Sequence, residues 1–143
     1  MDKRYLRSIR LLAECMQLFE KKTAAKVRAL GFTESQFDII ATLGNTAGMT
    51  CKELGEKTLI TKGTLTGVLD RLIAKGLIVR ERCDEDRRQL IVKLTLIGEQ
   101  VFADIFPQVI RRGSKYFATY AEEDFKALER ELTKLKICLN DPL

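Results

Sequence analysis

Side chains suited to covalent or metal chemistry are few in this sequence, and their spacing does not assemble them. It has no histidine, and Cys15, Cys51, Cys83 and Cys138 form no CxxC pair, so no structural zinc site is expected. There is no glycine-rich phosphate loop and no serine or cysteine with a plausible base nearby, so an enzyme fits poorly. No catalytic residue, metal or cofactor is expected. Recognition chemistry is better represented, in Lys62-Gly63-Thr64-Leu65-Thr66-Gly67 followed by Asp70 and Arg71. Small donors and acceptors near a helix start, with cations beside them, suit the reading of base edges. A second cationic pair, Arg87-Arg88, ends the charged stretch Asp84 to Arg88. An exposed arginine there suits the negative potential of a minor groove, although a solvated turn fits the same residues.

The elements that must position these residues are legible around them. Leu65, Val68, Leu69, Leu72 and Ile73 recur at helical spacing and predict an amphipathic helix, whose other face carries Lys62, Gly63, Thr64, Thr66, Gly67, Asp70 and Arg71. Thr61 is the expected N-cap, its hydroxyl accepting from the Thr64 amide, and Gly76 the left-handed residue past the end, with Lys75 suiting the negative terminus. Each glycine inside a helix costs roughly 1 kcal/mol against alanine. Two on one face favour close approach by another body over an ordinary solvated surface. The runs Leu77 to Cys83 and Gln89 to Thr95 read as strands enclosing the turn Asp84 to Arg88. Upstream, Thr50 and Glu53 form a capping box for a helix Cys51 to Lys57 anchored by Leu54. Helix, turn, helix and hairpin in this order predict a winged helix-turn-helix, and hence double-stranded DNA as the partner.

Long helices flank this module. Leu6, Ile9, Ala13, Met16, Phe19, Thr23 and Val27 predict a helix over residues 3–30, ended by Gly31. Thr33 and Gln36 make a capping box for a helix that stops near Gly44-Asn45, and residues 46–50 read as a loop. Thr95 caps a helix carried through Phe117, with Pro107 kinking rather than ending it. After a turn near Tyr120-Ala121, Phe125, Leu128, Leu132, Leu135 and Leu139 keep the narrow spacing of a seam for a partner helix. The terminal helices offer more apolar face than one small domain needs. We therefore expect a two-fold homodimer, packed through Leu6, Ile9, Met16 and that seam, on a pseudo-palindromic DNA site.

Charge points the same way. Of a net +5 over 143 residues, residues 1–32 carry +5 and residues 50–95 carry +3, which suits a polyanion. No apolar run approaches the roughly 18 residues of a membrane span. Arg7, Arg10 and Glu14 interrupt any signal-peptide core, so a cytoplasmic protein with free thiols is expected.

The stretch from Lys52 to Gln100, together with LGFTESQFDIIATL and the flanking helices, resembles the MarR family of bacterial transcriptional regulators. The wing residues Asp86, Arg88, Val92, Leu94 and Thr95 follow the helix at the family's spacing. The resemblance implies a mainly α winged-helix fold forming a triangular homodimer, usually a repressor released by a small ligand or an oxidant. It implies one domain over residues 1–143: a DNA-binding module at 32–95 and dimerisation helices at 1–31 and 96–143. Lys62, Gly63, Thr64 and Thr66 match major-groove contacts, Arg88 the arginine entering the minor groove, and Asp86 the acid that orients it. With Thr61, Gly67, Arg71 and Arg87 they form the expected DNA-binding set. Many members bind phenolic anions, making a small aromatic or phenolic effector the expectation. Others sense peroxides through a first-helix cysteine, and Cys15 in Cys-Met-Gln-Leu-Phe is close to their Cys-Phe-x-Leu-Tyr. Phe19 lacks the hydroxyl that tyrosine offers a thiolate, so a seam residue is the competing reading of Cys15. A winged helix serving only protein interaction is a further alternative.

Overall fold

The computed structural model describes residues 1–142. Six α-helices and three short strands follow in the order α1 (Arg4–Ala29), α2 (Glu34–Leu43), β1 (Met49–Thr50), α3 (Cys51–Thr58), α4 (Lys62–Ala74), β2 (Ile78–Arg82), β3 (Leu90–Leu94), α5 (Leu96–Ser114) and α6 (Glu122–Asn140). This is the mainly α winged helix expected. Local chemistry sets several of the boundaries. Thr33 Oγ1 accepts from the Gln36 amide at 3.1 Å while Gln36 Oε1 accepts from the Thr33 amide at 3.1 Å, a complete capping box. Thr50 and Glu53 repeat it at the start of α3, at 3.2 and 3.4 Å. Thr95 Oγ1 accepts from the Gly98 amide at 3.0 Å and opens α5, which continues past Pro107.

Two expectations need correction. The segment read as a loop ends in β1, whose two residues pair antiparallel with β3 in the register Met49↔Val92 and Thr50↔Ile91. A two-residue strand has no periodicity of its own, and only the distant partner defines it. The α-helix read as reaching Phe117 stops at Ser114, and Lys115–Phe117 form a 3₁₀ turn.

The chain forms two compact units, Met1–Ile110 and the residues from Arg111 onward. In the first, the sheet runs β1-β3-β2, with β2 and β3 a hairpin in the register Ile78↔Leu94 to Arg82↔Leu90. Ile39, Ile40 and Leu43 of α2, Leu54 of α3, Leu69 and Leu72 of α4, Ile78 and Val92 fill its core, all less than 2% exposed. Phe102 and Phe106 of α5 stack at 4.9 Å between centroids, within the offset-stacking range. In the second unit, Phe117, Tyr120 and Phe125 meet with centroids 5.1–5.8 Å apart. The Asp124 carboxylate accepts from the Ala121 amide at 2.8 Å, half of a capping box that alanine cannot complete.

Candidate nucleic-acid interface

Leu65, Val68, Leu69 and Leu72 of α4 are buried, and Ile73 is half-buried, so the apolar stripe holds the helix to the core. Its opposite face is open. Thr61, Lys62, Gly63, Thr64, Thr66, Gly67, Asp70 and Arg71 are all exposed. A Cβ placed at Gly63 or Gly67 would meet no atom within 4 Å. Nothing inside the chain requires glycine at either position.

The two ends of α4 differ in how closely they follow expectation. Thr61 is the N-cap, but its side chain caps nothing: its Oγ1 donates to Thr64 Oγ1 at 3.2 Å, and only its backbone carbonyl accepts from Thr64 and Leu65. Two hydroxyls three residues apart satisfied each other instead, which leaves both on the exposed face. At the far end Gly76 takes φ +74°. The Gly76 amide donates to Ile73 O at 2.9 Å and the Leu77 amide to Leu72 O at 3.1 Å, closing a Schellman motif. Lys75 Nζ lies 5.0 Å from the Phe32 ring centroid. Thr95 Oγ1 donates to Gly76 O at 2.6 Å, tying the end of α4 to the start of α5.

The wing is the β2–β3 turn. Arg87 and Arg88 are exposed at its tip. Asp86 Oδ1 accepts from the Arg88 backbone amide at 3.1 Å, so it shapes the turn beneath Arg88 rather than gripping the guanidinium. A residue not singled out from sequence contributes equally: Arg82 Nη1 donates to Arg87 O across the turn at 2.8 Å. At the base, Lys93 Nζ pairs with Glu81 Oε2 at 2.7 Å, and Arg80 Nη2 pairs with Asp70 Oδ1 at 3.0 Å, joining β2 to α4. Arg80 too was missed, because its partner lies ten residues away and the chain reversal at Gly76 between α4 and β2 brings them together. Beside α4 opens a cleft of about 690 Å³, lined by residues of α3, the following turn, α4 and Arg80.

The remaining site residues lie elsewhere. Leu6, Ile9 and Met16 of α1 and Leu128, Leu132 and Leu139 of α6 are exposed, while Phe125 and Leu135 are half-buried. Cys15 is exposed on α1, and all four cysteines are free thiols. Asp38 on α2 has its carboxyl pKa raised by burial, then by Glu34 and Glu20. No group of three or more Cys, Asp or Glu among the described residues is arranged to hold a metal. No helix among them is long and apolar enough to cross a membrane.

The MarR family model matches residues 30–89. The HTH-type transcriptional regulator FarR of Neisseria gonorrhoeae is 32% identical over 111 residues, covering 76% of either chain. This chain belongs to the MarR family. As a MarR-family member it is a DNA-binding transcriptional regulator. The MarR-family regulator AbsC of Streptomyces coelicolor shares its fold, with a TM-score of 0.84 at 23% identity over 97% of this chain and 96% of that one. NadR, solved in complex with 4-hydroxyphenylacetate, superposes with a TM-score of 0.77 at 25% identity over 94% and 95% of the two chains.

Proposed function

We propose that this regulator binds a pseudo-palindromic double-stranded site as a homodimer, acts as a repressor, and is released by a small aromatic or phenolic effector. The observation that carries the reading is the outward face of α4. It presents two threonines and a lysine around two glycines that the fold itself does not need. Bare backbone there admits base edges, and hydroxyls and an ammonium supply donors and acceptors to read them. Lys62, Gly63, Thr64, Thr66 and Gly67 take the major-groove role, with Thr61 and Arg71 beside them. Arg87 and Arg88 take the minor-groove role on a turn braced by Asp86 and Arg82.

Dimerisation is supported by apolar exposure that a lone chain leaves wet. Leu6 and Met16 are about half exposed and Leu139 is 70% exposed. Covering such side chains contributes roughly 25 cal/mol per Å² of apolar area. A dimer sets two recognition helices on successive half-sites, about one helical turn apart. The effector class follows the 4-hydroxyphenylacetate held by NadR. Band-shift titration of the DNA flanking the protein's own gene, with and without 4-hydroxyphenylacetate and related aromatic acids, tests the whole reading. Binding to an inverted repeat that such a compound relieves supports it; indifference to every duplex at low salt overturns it.

A further inference from the structure

The cleft beside α4 has an apolar floor of Ile60, Leu65 and Leu69 and a cationic rim. Lys52 comes from α3, Lys62 from the start of α4 and Arg80 from β2, against the single acid Glu56. Lys62 and Thr66 belong both to this cleft and to the exposed face of α4, so the cleft opens on the flank of the helix placed in the major groove. A helix seated there is walled by two sugar–phosphate strands, and the preceding helix of the motif crosses one of them. That strand is itself amphiphilic, with apolar deoxyribose edges between anionic phosphates. It matches the floor and the rim together.

We propose that this cleft seats one strand of the DNA backbone, and that Lys52 and Arg80 are phosphate contacts beyond those of α4 and the wing. The proposal rests on the duplex-binding reading above. Arg80 is suited to the task because Asp70 holds only its Nη2, at 3.0 Å, on a side chain one-third exposed. A guanidinium has five N–H donors, so the tether fixes its direction and leaves donors for phosphate oxygens. Contacts of this kind set the register of the protein on the duplex and carry no base preference.

Fluorescence anisotropy of the full chain tests this, with an inverted-repeat duplex and a scrambled one, from about 50 to about 200 mM salt. Lys52→Gln and Arg80→Gln should each weaken both duplexes alike and flatten the salt slope by about 0.9. Their affinity gap to wild type then narrows roughly 3.5-fold over that fourfold salt range. Arg80→Lys should keep the slope, and Lys134→Gln on α6 should leave it unchanged. Thermal melting confirms that each variant is folded. Wild-type slopes in both glutamine variants overturn the backbone seat while leaving duplex binding intact. An equal drop in Lys134→Gln, or a loss confined to the inverted repeat, overturns it too. Failure of wild type to bind either duplex removes the underlying reading.

Discussion

Gly67 separates the needs of the fold from those of the partner. It lies inside α4, away from both caps, with negative φ and no atom within 4 Å of where a Cβ would stand. Alanine there meets no clash and recovers the helix-propensity deficit of glycine, about 1 kcal/mol. In a chain of this size that raises Tm by about 2–4 °C. On the proposed reading the same methyl projects from the face that meets base edges. If the groove fits closely, it imposes an overpacking cost of about 1–3 kcal/mol, roughly 5- to 150-fold in affinity. Gly67→Ala should therefore be more stable and bind DNA less well, a pairing that general misfolding cannot produce. Differential scanning calorimetry and operator anisotropy on one preparation measure both. Higher Tm with unchanged affinity would refute the reasoning, because nothing then approaches Gly67 closely.

Arg88→Ala should weaken operator binding by about 1–3 kcal/mol at fixed salt, as expected for a lost groove contact; unchanged affinity places the wing off the duplex. Arg82→Ala should cost less, about 0.5–1.5 kcal/mol, because it removes only the brace on Arg87 O, and a loss larger than that of Arg88→Ala would give Arg82 a contact of its own. Asp38 has a raised folded pKa, so its protonated form stabilises the fold. That contribution is complete below the unfolded value of 3.8 and is lost as pH rises through the folded one. Asp38→Asn should accordingly raise Tm near pH 7 and lose that advantage in acid, whereas a pH-independent difference would contradict the assignment. With Phe19 where a hydroxyl would be needed beside Cys15, cumene hydroperoxide should leave operator binding unchanged in wild type and Cys15→Ser; a loss seen only in wild type makes Cys15 a sensor.

The parts of the fold legible in sequence are those specified by neighbours a few residues apart. The capping boxes at Thr33–Gln36 and Thr50–Glu53 and the stripe Leu65 to Leu72 are complete in their own segments. The left-handed Gly76 follows from the helix end it terminates. What sequence did not show depends on partners far along the chain. Strand β1 exists because β3 pairs with it, and Arg80 gains a role because the turn between α4 and β2 returns it to Asp70. Thr61 failed for a subtler reason: the Thr64 amide donates to the Thr61 carbonyl, and the Thr61 hydroxyl donates to Thr64 Oγ1. In the interface, residue types announced the threonines, glycines and arginines. The bracing contacts of Asp86 and Arg82 to main-chain atoms required the turn itself.

On the proposed function, two copies of α4, carried by paired chains, enter successive major grooves of one duplex. Sedimentation equilibrium of the chain with an inverted-repeat duplex, repeated across a range of salt, measures this directly. Two chains per duplex, with log affinity falling linearly in log salt, is the predicted result. One chain per duplex, or no association at low ionic strength, would contradict it.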